Sequence, residues 1–429
     1  MVKALGQHIL YRRRMRILDA ARRLDATTAP EAIEAVQVAR FNAIWSRCLA
    51  EVPFYRAWAR EHELPPRIAR TDQLLDFPTL TKRVIVERSD EIFRHGQLRH
   101  AVSTGGSTGV PARFPLDAAG SDNNWAALYL ARGWWGIAPF DRQLLLWGHS
   151  HLFGTGWQRS IASARRRLAD RLIGATRLNA YDMTPAAIAR YAAVMSRLRP
   201  DFVIGYTSAV FRLARHLERA EDWTPSPAPK GVILTSETAT PADIAVVGRV
   251  FAAPVILEYG LAEMGVVAYS RPGDDPRHLH LLWADHIAVN DHGAIRVTTI
   301  SNRIFPLVNY DTGDHTRPAD RPRRTVLSFA GIVGRTQDVV SIRTRAGESR
   351  EARRSCSSTS SRPIPPCAAS PSSSAGMPSS SMSRARWNWM PWPACSPARC
   401  AGSIRATTRR RPPSSRSTGR SCRPPASTC

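Results

Sequence analysis

The sequence predicts an α/β fold, and three observations lead there. From about residue 100 to 345, short apolar runs alternate with helix-like stretches, the rhythm of buried strands between amphipathic helices. The first 70 residues carry helical spacing of apolar side chains instead. The chain has 429 residues, of which 43% are hydrophobic, enough for two or three domains or one large two-lobed one with an ordinary core.

In chain order, residues 1–70 form a helical part, with Ile9, Met15, Ile17 and Leu18, then Ile33, Val36, Phe41, Ile44 and Trp45 as its apolar positions. Pro65 and Pro66 close it. Phe77-Pro78-Thr79-Leu80-Thr81-Lys82 reads as a connector in which Thr81 caps a helix. The α/β core spans 71–338. Its expected strands are Gln143–Trp147, Phe202–Ile204, Val232–Leu234 and Val255–Leu257, and its expected helices include Pro185–Leu198 and Pro241–Phe251. Ile295–Thr299 and Arg324–Phe329 read as antiparallel strands. Residues 339–351 read as a hinge and the start of a further domain.

From 352 to 429 the texture changes. Ser, Arg and Pro make up 45 of these 78 residues, and no Asp or Glu follows Glu351. Such a composition cannot bury enough apolar surface to offset chain entropy, so the tail is expected to be disordered. Two readings of it stand: a regulatory disordered tail, or a GC-rich gene translated out of frame.

The formal charge of +25 is unevenly spread: the tail supplies +13 and the preceding 351 residues +12. There is no aromatic and basic interleaving of the kind that stacks bases, which argues against a nucleic-acid partner. Cys48 is the only Cys before residue 356, as expected in a reducing cytosol. Tail cysteines at 356, 367, 395, 400, 422 and 429 show no zinc spacing, and no His follows His315. No stretch has signal-peptide or membrane-spanning character, so a cytoplasmic protein with no membrane partner is expected.

The strongest local signal is Ser103-Thr104-Gly105-Gly106-Ser107-Thr108-Gly109, followed by Val110-Pro111. Glycines let the backbone approach a ligand and point successive N–H groups into one concavity, and hydroxyls add donors for phosphate oxygens. It is not a Walker loop, and it reads as a loop between strands, with a flexible Ser/Gly linker as the alternative. Three further motifs follow: Glu258-Tyr259-Gly260-Leu261-Ala262-Glu263, Tyr310-Asp311-Thr312-Gly313-Asp314 and Gly334-Arg335-Thr336-Gln337-Asp338.

Taken in order over residues 103–338, these four motifs resemble those of the adenylate-forming (AMP-binding) ligase superfamily. Val52-Pro53-Phe54-Tyr55-Arg56 and Phe77-Pro78 before Thr81-Lys82 are similar to the phenylacetate-CoA ligase branch and its capsule-biosynthesis adenylating relatives. The resemblance covers roughly residues 40–345. It implies a large two-lobed N-terminal domain with mixed sheets flanked by helices, with 71–338 as the AMP-binding core. It further implies ATP-dependent activation of a carboxylic acid to an acyl-adenylate, with release of pyrophosphate and transfer to CoA or another acyl acceptor.

By that resemblance, Ser103 to Gly109 hold phosphates, Tyr259 stacks on adenine with Gly260 beside it, and Asp314 accepts the ribose hydroxyls. Glu263 is the expected catalytic carboxylate and Mg²⁺ ligand, since a hard cation takes carboxylate oxygen. Arg335 would contact nucleotide oxygens, and Asp338 would be the hinge. His149, His151 and Phe153 fall where the superfamily places its acyl-pocket wall. Trp134, Trp135 and Trp147 nearby suggest an aryl or apolar acid, or simply core aromatics. Two departures stand out: Ala262 replaces a usual Ser or Thr, and Val110 stands where many relatives have Lys.

The lysines of this chain are Lys3, Lys82 and Lys230, all before the hinge. The superfamily places a catalytic Lys beyond it, so this chain is expected to bind ATP but to be impaired in adenylation. The competing expectations are a nucleotide-binding pseudoenzyme and a basic nucleic-acid-binding protein.

Overall fold

The computed structural model describes residues 2–92, 100–103, 113–148, 169–220, 223–224, 227–301, 304–318, 323–335, 339–343 and 349–353. All lie within Met1–Ile364, the first of the two units into which the chain divides. The tail from 354 onward lies outside the described residues.

Helices α1 (Val2–Asp25), α2 (Pro30–Glu51) and α3 (Pro53–Glu61) open the chain. A 3₁₀ turn, Thr71–Asp76, and the short helices α4 (Lys82–Glu87) and α5 (Ser89–Ile92) follow. Thr81 caps α4 as expected, accepting from the Val84 amide at 3.4 Å. Strands β1 (His100–Ser103) and β2 (Arg113–Leu116) pair antiparallel, with Ser103 opposite Arg113. The Gly-rich segment, from 104 on, lies outside the described residues.

The central sheet has eight strands. Five run parallel: β4 (Ala175–Asn179), β3 (Gln143–Trp147), β5 (Phe202–Tyr206), β6 (Val232–Thr235) and β7 (Val255–Leu261). Strands β8 (Gly265–Ser270), β9 (Leu279–Leu281) and β14 (Ser328–Phe329) extend it antiparallel. Strands buried on both faces read as continuous apolar runs, which is why Phe202-Val203-Ile204 and Val232-Ile233-Leu234 announce themselves. Alternate residues serve opposite faces. Val203, Val232 and Leu234 pack on α7 (Pro185–Leu198), α8 (Thr207–Leu217) and α9 (Pro241–Phe251). Phe202, Ile204, Ile233 and Ile256 pack on α6 (Ala118–Gly133) and Leu18 of α1.

The helix starts are chemically specified. Thr184 accepts from the Ala187 amide at 3.3 Å ahead of Pro185, and Thr240 with Asp243 forms a reciprocal capping box ahead of Pro241.

A second, antiparallel sheet runs β13 (Arg323–Val326), β10 (His286–Asp291), β11 (Ala294–Thr299), β12 (Tyr310–Thr316) and β15 (Ile332–Arg335). Its apolar face shares a core with α2, α3 and the ends of β7–β9. Strands β16 (Val339–Arg343) and β17 (Ser349–Arg353) form a separate hairpin that reaches just past residue 351.

The single strand expected over Arg324–Phe329 is two. The chain leaves the five-stranded sheet after Val326, exposes Leu327, and joins the eight-stranded sheet at Ser328. No Gly or Pro marks the break; the Leu327 carbonyl simply accepts from the Leu281 amide at 2.9 Å, so the run stays hydrogen-bonded while changing sheets.

Candidate active site

Strand β7 stays paired with β8 across a register shift at Tyr259/Gly260, and the chain turns between them at Ala262–Met264. Gly260 is required here: a Cβ would lie 2.8 Å from the Gly265 carbonyl oxygen. Gly265 sits at φ +78° against Asn124, whose side-chain oxygen accepts from the Val266 amide at 3.3 Å.

The second motif lies on β12, across a bulge. Ala294 of β11 faces His315 and Arg296 faces Asp311, so Ile295 alone opposes Thr312-Gly313-Asp314. Gly313 takes φ +72°, the Thr312 hydroxyl donates to the Ile295 carbonyl at 2.9 Å, and the Gly313 amide donates to Asp311 at 2.9 Å. Bulges re-aim side chains, and this one turns the buried Asp314 carboxylate toward β7.

The two motifs interlock reciprocally. Tyr259 donates to Asp314 Oδ2 at 3.0 Å, and Tyr310 donates to Glu263 Oε1 at 2.7 Å. Each segment thus contributes one phenol donor and one carboxylate acceptor. Burial raises the Tyr259 pKa well above its usual value, and the Asp314 charge adds to it. Burial and then the Glu263 charge do the same for Tyr310. Both phenols stay protonated and able to donate.

The segments that separate this chain from a generic pattern buttress β12. Asn309, just before it, donates to the Phe77 carbonyl at 2.6 Å and the Pro78 carbonyl at 3.2 Å. The Leu80 amide donates to the Asn309 carbonyl at 3.1 Å, and the Asp311 amide to the Leu80 carbonyl at 2.9 Å. Tyr55 donates to the Pro306 carbonyl at 2.8 Å from within an aromatic cluster of Trp45, Phe54, Trp58 and Phe77.

Of the predicted residues, the structure brings together Tyr259, Gly260, Glu263 and Asp314. Tyr259 is buried, its ring edge-on to Phe329 at 6.1 Å. Arg335 stands opposite Asp314 in the β12–β15 register. Ser103 ends β1. Thr104, Gly105, Gly106, Ser107, Thr108, Gly109, His149, His151, Phe153 and Asp338 lie outside the described residues.

Sequence reading missed three features. Tyr310 as the partner of Glu263 had only its place in a motif to recommend it. Behind β7, Tyr269 donates to Glu258 at 2.8 Å beside the buried Arg132 guanidinium, which stacks on Tyr129 and Phe202. At the carboxyl ends of β3 and β5, Trp147 and Tyr206 meet at 4.9 Å, with Tyr181 6.3 Å from Tyr206. Burial and then Tyr181 push the Tyr206 pKa up to about 12. Ligands of open α/β sheets bind outside the carboxyl ends of the strands.

The acceptor chemistry fits a magnesium nucleotide: two fixed carboxylates on neighbouring segments, and open space where a Gly313 Cβ would point.

No family model matches the chain, and no curated protein does. Among solved structures it is similar to 2-hydroxyisobutyryl-CoA ligase in the postadenylation state with R3-HIB-AMP, at TM-score 0.54 and 17% identity, covering 75% of this chain and 70% of that one. The same ligase with 2-HIB-AMP and CoA in the thioesterification state matches at TM-score 0.54 and 18% identity, covering 75% and 72%. Its open conformation matches at TM-score 0.54 and 17% identity, covering 76% and 79%. The chain has the fold of these adenylate-forming CoA ligases. Among the described residues no helix is long and apolar enough to cross a membrane.

Proposed function

We propose that this protein activates a carboxylic acid with ATP, forming an acyl-adenylate, releasing pyrophosphate and passing the acyl group to CoA or another acceptor. The observation that carries this reading is the reciprocal lock of Tyr259 with Asp314 and Tyr310 with Glu263, within a fold shared with acid-CoA ligases.

Two anions, the carboxylate and the α-phosphate, must meet, so the site needs donors and cations that are fixed in advance. Asp314 holds the ribose by charge-assisted hydrogen bonds, and Tyr259 fixes that carboxylate. Tyr259 and Gly260 border the adenine, and Arg335, in register with Asp314, meets nucleotide oxygens. Ser103 to Gly109 cradle the phosphates with backbone N–H groups. Glu263, set by Tyr310, would hold Mg²⁺, which when bound would supply positive charge to the reaction of two anions. An aryl or apolar acid suits the aromatic side chains Trp147, Tyr181 and Tyr206 together with His149, His151 and Phe153.

ATP–pyrophosphate exchange across a panel of aryl and aliphatic acids tests the reading. Acid-dependent exchange is expected. Its rate should be low, by about 10²–10³, because no Lys follows Lys230 to bridge the reacting anions, and Lys230 itself is paired with Asp141 at 2.7 Å. ATP binding without exchange for any acid would favour the nucleotide-binding pseudoenzyme instead.

A further inference from the structure

At the other end of β8 from Glu263, the loop into β9 brings Asp274 and His278 against His280 of that strand. One donor atom from each lies within 4.8 Å of the others. His278 and His280 are two residues apart along an extended segment, so they project from the same face. Their rings stack at 4.8 Å and 27°. His280 Nε2 lies 2.6 Å from Asp274 Oδ2.

The frame is built. His280 sits mid-strand, opposite Tyr269 of β8 on one side and Ser328 of β14 on the other. The loop is closed by the Asp274 amide donating to the Arg271 carbonyl at 3.4 Å and the His278 amide to the Asp275 carbonyl at 2.7 Å. The neighbouring cations are engaged elsewhere. Arg277 forms an ion pair with Asp275 at 2.6 Å, and Arg271 pairs with Asp25 at 2.9 Å while stacking on Trp134. Asp274 is thus left facing the two imidazoles.

We infer that Asp274, His278 and His280 form a binding site for a divalent transition-metal ion of the zinc class. Two imidazole nitrogens and one carboxylate oxygen are a zinc-type donor set, whereas magnesium and calcium prefer all-oxygen sites. Tetrahedral zinc with bonds of about 2.0–2.1 Å holds its donor atoms roughly 3.3 Å apart. The 2.6 Å contact must open slightly and the widest separation close, both within reach of side-chain rotation. A fourth position remains for water or another ligand.

The ion is distinct from any magnesium on the nucleotide. Strand β8 spans six residues, Gly265–Ser270, so its ends lie roughly 17–20 Å apart at the rise of an extended strand. Bound there, the metal would staple the loop to the strand that follows it.

Chelator-treated full-length protein should be titrated with Zn²⁺ in competition with a chromophoric chelator, and separately with Co²⁺ while recording the visible spectrum. The expected result is one ion per chain at micromolar or tighter affinity, with Co²⁺ bands of four- or five-coordinate intensity and no displacement by millimolar Mg²⁺. Asp274→Asn/His278→Gln removes one exposed and one half-buried donor and should weaken Zn²⁺ at least tenfold with an unchanged circular dichroism spectrum. Should the double variant misfold, His278→Gln alone should weaken binding by the same minimum. The protein carries 12 His, so scattered weak binding is the competing outcome. Equal Zn²⁺ affinity in wild type and variant, or no binding below about 100 µM, would overturn the inference.

Discussion

Replacing Asp314 separates what this carboxylate does for the fold from what it is proposed to do for a nucleotide. Asp314→Ala removes the acceptor of the buried Tyr259 hydroxyl, now 3.0 Å from Oδ2. Leaving a buried donor unpaired costs about 1–3 kcal/mol of stability. The same change removes the acceptor proposed for the ribose hydroxyls. Hydrogen bonds to a charged group contribute about 1.5–3 kcal/mol, so ATP affinity should fall by roughly 10- to 150-fold. Asp314→Asn keeps an oxygen for Tyr259 but gives up the charge. It should retain most of the stability and still lose about fivefold or more in affinity, since charge-assisted bonds are roughly twice as strong as neutral ones. Titration calorimetry with a non-hydrolysable ATP analogue reads the affinity, and urea unfolding of the same samples reads the stability. An Asp314→Ala protein that binds within twofold of wild type would remove Asp314 from the nucleotide site. An Asn variant as unstable as the Ala variant would show that the Tyr259 bond is not what the fold needs there.

Tyr310→Phe strands Glu263 without its donor, and should reduce Mg²⁺-dependent nucleotide binding by about 5- to 10-fold, as read by magnesium titration at fixed ATP; no change would detach Glu263 from the metal. Gly260→Ala places a methyl 2.8 Å from the Gly265 carbonyl oxygen and should destabilise by about 1–3 kcal/mol in urea unfolding, whereas a neutral effect would mean the β7–β8 turn is looser than drawn. Tyr55, Tyr259, Tyr269 and Tyr310 all have raised pKa values, chiefly from burial. In the unfolded chain these phenols lose their protons near pH 10 while the folded chain keeps them, so their contribution is intact below that pH. Stability should then fall above about pH 10, by roughly 1.4 kcal/mol per pH unit for each such Tyr. Phenolate absorbance should lag behind that of the denatured chain at pH 11; coincident titrations would contradict the burial.

Much of the fold was legible because its strands are buried on both faces and its helices begin at strong caps. Gln143–Trp147, Pro185–Leu198 and Pro241–Phe251 fall where the apolar runs and the Thr-Pro starts place them. Leu327 was not legible, since a strand that changes sheets keeps its local hydrogen bonding and its residue types. At the site, the motif letters Tyr259, Glu263, Tyr310 and Asp314 were visible, but not their pairing. Hydrogen bonds between residues 47 and 55 positions apart depend on how two sheets pack, which no local pattern encodes. The cluster of Trp147, Tyr181 and Tyr206 escaped for the same reason: each residue is ordinary in its own segment, and only the parallel register gathers them. Asp274, His278 and His280 were adjacent in sequence, yet a search for cysteine-based spacing passes over a loop of this kind.

The reciprocal lock also bears on the order in which the molecule assembles. Tyr259 lies on β7 of the eight-stranded sheet and Glu263 in the turn that follows it, Tyr310 and Asp314 on β12 of the five-stranded one, so neither pair can close until both sheets exist and meet. Contacts of such long sequence separation form late, after loop-closure entropy has been overcome. Interactions absent from the folding transition state act almost wholly on the escape from the native state. A weakened lock should therefore leave the folding limb of a chevron where it is and raise the unfolding limb. The residues proposed to hold a nucleotide would then also set how long the folded molecule lasts.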